Sequence, residues 1–197
     1  MLGGTTTTAA RADTLADMFA LLLTGPPGAG KTSVLTELHD GLGDAGIANA
    51  LIELDELERC YPPLDTRRVL RHAAMLAGSY REAGHTLLLV TATVEDDAYG
   101  RAVSAALGAD HHLTVRLDAE PETVRRRVLD REPETWSGRQ ELADHAHELA
   151  TTMRGLTVVD LVFSTEGTHP ADVAARLDAA LREHPAAPLI GVDQIAG

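Results

Sequence analysis

The sequence predicts a single three-layer α/β domain in which a five-stranded parallel sheet lies between layers of helices. Short apolar runs of strand length alternate with longer segments of helical spacing along the 197 residues. Such alternation is typical of strand–helix–strand units, which build a parallel sheet covered on both faces. A glycine-rich stretch also separates the first apolar run from the first helical segment, at a position where open α/β domains bind ligands.

Five segments are predicted as strands because each is a short apolar run, as a sheet buried on both faces requires. The first is MFALLLTG, which ends in glycine, and the last is VVDLVFST. The five predicted strands cover residues 18–25, 47–55, 85–92, 112–119 and 158–165.

Helices are predicted where apolar residues recur three and four positions apart and where end signals are present. In the first of them, Val34 and Leu38 have this spacing, and glycines close the first two. Pro121 opens the fourth helix at a first-turn position, where its missing N–H has no cost. The predicted helices cover residues 31–46, 66–84, 97–108, 121–132, 141–155 and 169–184.

These elements place one domain at residues 18–184, after a flexible leader at 1–17 and before a tail at 185–197. The leader lacks the apolar core of a signal peptide, and no apolar run approaches the length of a membrane span. Cys60 is the only cysteine, which excludes an intrachain disulfide and favours a reducing compartment. A cytoplasmic protein without a membrane partner is therefore expected.

The charge balance restricts the class of partner. The net charge is −13, with 30 acidic residues against 17 lysines and arginines. A protein that coats nucleic acid would present a basic face instead, so no nucleic-acid partner is expected. Lys31 is the only lysine, and every other basic residue counted in this balance is an arginine.

The segment GPPGAGKT, at residues 25–32, fits the phosphate-loop pattern G-x-x-x-x-G-K-[ST] between a predicted strand and helix. Glycines let successive N–H groups point at an anion, and the next helix adds its positive end. Lys31 is predicted to reach the terminal phosphates of ATP, and the Thr32 hydroxyl to bind Mg²⁺. The predicted nucleotide-binding residues are Gly25, Pro26, Pro27, Gly28, Ala29, Gly30, Lys31, Thr32 and Ser33.

An acid follows the second predicted strand. Asp55 comes at the carboxyl end of LIELD, where it can orient an attacking hydroxyl or accept its proton. The alternative is that Asp55 caps the helix that follows. Glu53 lies on the same predicted sheet face, and an acid inside such a strand needs a polar contact, for example Lys31 or Mg²⁺.

These residues resemble the small P-loop kinases, in particular the adenylylsulfate kinase, gluconate kinase and chloramphenicol phosphotransferase branch. The resemblance is carried by GPPGAGKT, by LIELD after the first helix, and by an arginine-rich helix after the fourth strand. It implies a P-loop fold like that of nucleoside kinases, an acid at Asp55 that faces the acceptor hydroxyl, and a helical lid. Adenylylsulfate kinases carry D-G-D-x-[LV]-R at the second strand, where this chain has ELDELER.

The resemblance places the lid at about residues 127–145. Arg127 and Arg131 lie four apart on one helical face of TVRRRVLDRE, and in these kinases such arginines close over the phosphates. The alternative is a solvated helix with local arginine–acid pairs. Trp136, at the predicted lid tip, is either a substrate-facing ring or a hinge anchor.

Two further segments acquire roles through the same resemblance. Arg67 and Arg71 share a helix face where these kinases bind the acceptor, and a solvated surface is the equal alternative. Residues 164–167 lie where related kinases seat the adenine. No acid ends the third strand, so no Walker B residue is predicted there, and the scattered histidines lack metal-binding spacing.

Together these features predict an ATP- and Mg²⁺-dependent phosphotransferase that acts on a hydroxyl of a small molecule. Lys31, Asp55, Arg127 and Arg131 are the predicted catalytic residues. A regulatory or switch ATPase with a protein partner is the alternative, and it would require a strong Walker B acid. A GTPase is excluded because its base-reading Asn-Lys-x-Asp motif needs a second lysine.

Overall fold

The computed structural model describes residues 16–191, and its strands form one sheet. All neighbouring strands are parallel, in the order β2-β3-β1-β4-β5. This sheet confirms the predicted fold class. Its strands are Phe19–Thr24 (β1), Asn49–Glu53 (β2), Leu87–Thr91 (β3), His111–Asp118 (β4) and Leu161–Ser164 (β5).

Helices connect the strands and cover the sheet. A 3₁₀ turn at Met153–Gly155 follows the sixth of them. The helices of the described part are Lys31–Asp44 (α1), Leu54–Leu57 (α2), Thr66–Glu82 (α3), Asp97–Leu107 (α4), Pro121–Arg131 (α5), Arg139–Thr152 (α6), Pro170–Glu183 (α7) and Ala187–Ile190 (α8).

The central strand β1 supplies both faces of the sheet with buried side chains. Leu21 and Leu23 belong to a core that includes α1 and α7, whereas Ala20 and Leu22 belong to a core that includes α3 and α4. Side chains alternate between the faces of a strand, so one apolar run serves two cores. A third, smaller cluster joins α5 to α6.

Four of the strands are shorter than the sequence predicts, and the second and fifth differ most. The second was expected to reach Asp55, but β2 ends at Glu53 and the fully buried Leu54 begins α2. The fifth was expected from residue 158, but Val158 packs against α4 at Gly100 and strand β5 begins at Leu161. In both cases the apolar residue beside the strand packs into the core that includes α3 and α4, and the periodicity of the sequence does not distinguish such a residue from one in a strand.

The predicted chain ends are described only in part. The leader at 1–17 lies outside the described residues except for its last two positions, and residues 192–197 of the tail lie outside as well. The first residues of the tail are inside, and there Ala186 and Ala187 are buried in the core beside α7.

Candidate active site

The glycine-rich segment forms the loop between β1 and α1. Gly30 caps α1 with a left-handed φ of 92°, and Gly28 has a φ of 81°. Gly28 also approaches α5 so closely that a Cβ atom would lie 2.6 Å from the carbonyl oxygen of Val124. Only glycine fits this position, because any side chain would meet both an unfavourable backbone conformation and the backbone of α5.

The first turn of α1 offers backbone N–H groups to an anion. Its cap, Gly30, has no side-chain oxygen, and no acidic residue lies in the first turn. The first N–H groups of a helix have no partner within it and carry its positive end. This end is therefore suited to phosphate. This helix end faces a surface cleft, and residues 26–33 of the predicted phosphate loop line that cleft.

Lys31 begins α1, and its side chain is 9% exposed. Its ammonium donates to the carbonyl oxygen of Gly25 at 2.8 Å and to the hydroxyl of Thr93 at 3.0 Å. Burial lowers the pKa of Lys31 to about 8, and the nearby Asp55 carboxylate opposes that shift. The pKa of the Lys31 ammonium therefore lies close to ordinary pH, so a small change in pH changes its charge.

Asp55 lies in α2, directly after β2. The carboxylate accepts from both the N–H and the hydroxyl of Thr93, at 3.3 Å and 3.1 Å, and Oδ2 is 3.9 Å from the Lys31 ammonium. Glu53 occupies the cap position of α2, so the capping alternative for Asp55 is wrong. The geometry instead brings the acid of the second strand to the phosphate loop.

Glu53 contacts Thr32, a second polar residue of the loop. Its Oε2 atom accepts a hydrogen bond of 2.9 Å from the Thr32 hydroxyl, and both residues line the cleft. A hydroxyl and a carboxylate are oxygen donors of the kind that Mg²⁺ prefers. Among the described residues no cluster of three or more His, Cys, Asp or Glu suits a metal. Mg²⁺ does not need one, because it is held in nucleotide sites by one or two protein oxygens and the phosphates.

Arg127 joins three parts of the cleft. Its guanidinium donates to the carbonyl oxygen of Gly28 at 3.3 Å, and to the hydroxyl and the carbonyl oxygen of Thr165 at 3.1 Å and 2.8 Å. Arg131 lies one turn further along α5 and is paired with Glu132 at 2.6 Å. Both arginines line the cleft, as expected for residues on one face of α5.

The cleft has a volume of about 1160 Å³. A typical pocket for one small ligand has roughly 300–1,000 Å³, so this cleft has room for two reactants. Its lining includes the phosphate loop with the two arginines, an acidic side, the segment after β5, and Leu142 and His145 of α6. The acidic side and the segment after β5 contribute Asp55, Glu56, Arg59, Glu95, Thr165, Thr168, Pro170 and Val173.

Three arginines and Trp136 lie outside the cleft. Arg67 and Arg71 are exposed on α3 and do not line the cleft. Trp136 is 45% exposed and packs against Gly138 in the connection between α5 and α6. Arg139 donates to the carbonyl oxygen of Leu129 and so ties this connection to α5.

Sequence reasoning gave no role to Thr93 or to His145. Thr93 is the residue through which Lys31 and Asp55 are connected, and only its position just after a strand pointed to it. His145 on α6 lies 3.2 Å from Glu95 and lines the cleft, so it connects the predicted lid with the loop after β3. Nothing in its spacing distinguished it from the other histidines.

Comparisons with solved structures reveal the same fold in several small kinases. A sugar kinase from Janibacter sp. has 18% identity and a TM-score of 0.61, covering 86% of this chain and 98% of that one. Shikimate kinase from Acinetobacter baumannii has 19% identity and a TM-score of 0.52, covering 88% and 97%. Adenylylsulfate (APS) kinase from Mycobacterium tuberculosis, in complex with AMPPNP and APS, has 16% identity and a TM-score of 0.54, covering 85% and 99%.

At these identities the likeness establishes the fold alone. No curated protein matches the sequence significantly. Across residues 16–191, no helix combines the length and the apolarity that crossing a membrane requires.

The sequence comparison with protein families is more specific, because residues 21–154 match a family described as an AAA domain. This match covers more than half of the chain and includes the phosphate loop, Asp55, Thr93 and both arginines. The chain therefore belongs to the AAA domain family of P-loop proteins.

Proposed function

We propose that the protein is a kinase that transfers the γ-phosphoryl group of ATP to a hydroxyl of a small molecule. The observation that carries the proposal is the carboxylate of Asp55, which lies 3.9 Å from the Lys31 ammonium and faces the same cleft. Phosphoryl transfer needs a group that orients the attacking hydroxyl beside the cations that hold the phosphates. Similarity in fold to sugar, shikimate and APS kinases supports this assignment.

The nucleotide side of the reaction is assigned to the phosphate loop. The N–H groups of residues 28–33 and the Lys31 ammonium bind the phosphates, and Arg127 and Arg131 stabilise the charge of the transferring group. Arginine suits this role because its planar fork binds two phosphoryl oxygens at once. Thr165, already bonded to Arg127, places the segment after β5 beside the loop, where it can receive the base. Residues of about 127–145 are the proposed lid.

Magnesium fits the oxygen donors of Thr32 and Glu53. The Thr32 hydroxyl is the proposed ligand, and the neighbouring Glu53 carboxylate is close enough to bind the ion or one of its waters. When bound, Mg²⁺ supplies positive charge to the β- and γ-phosphate oxygens. In this chain Glu53 takes the place of an acid at the end of β3, where Thr91 and Thr93 stand.

The acceptor side is predominantly acidic. Asp55, Glu56 and Glu95 line it, and the guanidinium of Arg59 is bonded to both carboxylate oxygens of Glu56 at 3.0 Å. Like charges brought together in a site reduce affinity. The lining therefore favours a neutral or amine-bearing acceptor over a carboxylate or sulfate, and Arg67 and Arg71 have no part in the proposal.

The test is a panel of hydroxylated acceptors scored by ADP release above the acceptor-free rate. The panel includes glucose, glucosamine and gluconate, which are neutral, cationic and anionic respectively. It also includes nucleosides. Asp55→Asn should reduce transfer at least a hundredfold, since positioned bases contribute about 10²–10⁴. Its affinity for Mg–AMPPNP should stay close to that of the wild type.

Asp65→Asn is the matched control, because Asp65 caps α3 away from the cleft and Asn caps a helix equally well. The control should transfer phosphate at the wild-type rate. Unchanged transfer by Asp55→Asn would refute the role of Asp55. Hydrolysis that no acceptor accelerates would refute the kinase and favour an ATPase.

A further inference from the structure

Thr93 makes three hydrogen bonds at the centre of the cleft. Its hydroxyl oxygen lies 3.0 Å from the Lys31 ammonium and 3.1 Å from Oδ2 of Asp55, and its backbone N–H donates to Oδ1 of Asp55 at 3.3 Å. Both carboxylate oxygens of Asp55 are thus held by one residue. The direct distance between Lys31 and Asp55, 3.9 Å, is too long for a hydrogen bond.

The donors and acceptors in these hydrogen bonds follow from the chemistry of the groups. An ammonium group has three donors and no acceptor, so the Thr93 hydroxyl accepts from Lys31. The single proton of that hydroxyl is then free to point at Asp55, which as a carboxylate only accepts. Each carboxylate oxygen has a second lone pair, so Asp55 can still accept a bond from an incoming hydroxyl.

The backbone holds Thr93 rigidly on both sides. Thr91, at the end of β3, pairs with both Leu23 and Glu53 in the sheet register. The N–H of Ala92 then donates to the carbonyl oxygen of Leu23 at 3.2 Å, and the N–H of Val94 donates to the Thr24 hydroxyl at 3.0 Å. Thr93 lies between these two anchors to β1, directly beside the phosphate loop.

From this geometry we propose that Thr93 is a positioning residue, whose hydroxyl fixes the carboxylate of Asp55 relative to the ammonium of Lys31. The proposal rests on the proposed phosphotransfer, in which Asp55 orients the acceptor hydroxyl. Thr93 itself binds neither phosphate nor acceptor. It sets the distance between the group that holds the phosphate and the group that aligns the attack.

The first test observes Lys31 directly and needs no enzymatic turnover. It is possible because Lys31 is the only lysine of the chain. The full-length protein labelled with ¹⁵N-lysine gives a single ammonium signal, recorded at pH 6 where Lys31 is protonated. Thr93→Val keeps the shape and removes the hydroxyl, so the ammonium shift should change and its hydrogens should exchange about fivefold faster, as loss of one hydrogen bond predicts. Thr93→Ser should retain the wild-type signal.

The second test separates positioning from a purely structural role. With the best acceptor of the panel, Thr93→Val should lower kcat about tenfold or more while KM for ATP stays within about threefold, and Thr93→Ser should restore kcat. Thr157→Val is the matched control, since the Thr157 hydroxyl also bonds an aspartate, Asp97, but does not line the cleft. That control should leave both the lysine signal and kcat unchanged.

The two tests also distinguish this proposal from the proposed function. An ammonium signal that Thr93→Val leaves unchanged would overturn the bridge, whatever the activity. Equal losses in Thr93→Ser and Thr93→Val would overturn it as well, because the hydroxyl would then not matter. If no acceptor is phosphorylated, the proposed kinase fails, while the lysine signal still decides whether the hydroxyl holds Lys31.

Discussion

The ammonium of Lys31 and the carboxylate of Asp55 lie 3.9 Å apart but in different surroundings. The lysine side chain is 9% exposed, whereas that of the aspartate is 52% exposed. Burial lowers the pKa of Lys31 to about 8; among the smaller influences, Asp55 raises it and Arg131 lowers it. The cation of the phosphate loop therefore titrates at a pH where activity is easily measured.

The affinity for Mg–AMPPNP should fall as the pH rises above 8. Only the protonated form of Lys31 pairs with phosphate, so above its pKa binding must take up a proton. This costs about tenfold in affinity per pH unit, until the pKa of Lys31 in the complex is reached. Calorimetric titrations between pH 6.5 and 9.5 would measure the slope and the proton uptake.

Lys31→Arg is the control for this pH dependence. A guanidinium stays charged throughout the range, so the variant should lose the fall above pH 8. Its affinity at pH 7 should nevertheless be lower, because a planar fork does not fit the space that a slim ammonium stem occupies. Equal slopes in both proteins would assign the pH dependence to another group.

Gly28→Ala should damage the phosphate loop. The new Cβ would lie 2.6 Å from the carbonyl oxygen of Val124, at a residue whose φ is 81°. Strain of this kind costs about 1–3 kcal/mol, so urea unfolding should show that loss together with much weaker AMPPNP binding.

Gly41→Ala, in the helix α1 that follows the loop, is the control and should have the opposite effect on stability. Gly41 lies in the interior of α1, and a Cβ there would meet nothing within 4 Å. The substitution should raise the free energy of unfolding by about 0.5–1 kcal/mol and leave binding unchanged. A Gly28→Ala protein as stable as the wild type would contradict the close packing of the loop on α5.

Arg127→Lys should fail although it keeps the charge. The guanidinium reaches Gly28 and both oxygen atoms of Thr165, and one ammonium cannot span these positions. We expect kcat/KM for ATP to fall about ten- to a hundredfold. Arg126→Lys, on the exposed side of the same helix, should have no effect. Wild-type kinetics in Arg127→Lys would show that only the charge of Arg127 matters, and that its guanidinium geometry does not.

Much of this arrangement could be predicted from local sequence. The apolar runs define the strands because a parallel sheet is buried on both faces, and GPPGAGKT predicts the loop because it fits the phosphate-loop pattern between a strand and a helix. Asp55 was predicted because strand ends mark the edge at which such a sheet binds ligands. These features depend mainly on residues that are neighbours in the sequence.

The connections between segments could not be predicted in that way. Thr93 reaches Lys31 and Asp55 only because β3 lies between β2 and β1, an order that no local pattern encodes. The spacing of Arg67 and Arg71 gave them a shared helix face, but Val69 and Ala73 bury the other side of α3 and leave both arginines exposed, away from the cleft. Periodicity identifies a face without identifying what lies opposite it.

Glu53→Gln should raise the Mg²⁺ concentration that half-maximal activity requires. The Thr32 hydroxyl donates to Glu53 at 2.9 Å, so an amide there keeps the size of the side chain and removes its charge. Loss of an outer-sphere partner of a metal typically costs about 10–100-fold in metal affinity.

Glu56→Gln is the matched control for this change, because Glu56 also lines the cleft but bonds to Arg59 and not to Thr32. A titration of activity against Mg²⁺ at saturating ATP should shift for Glu53→Gln alone. A shift of equal size in both variants would indicate a general effect of cleft charge, and the proposed contribution of Glu53 to the magnesium site would then be wrong. A selective shift would identify Glu53 as the acid that this chain uses in place of one after β3.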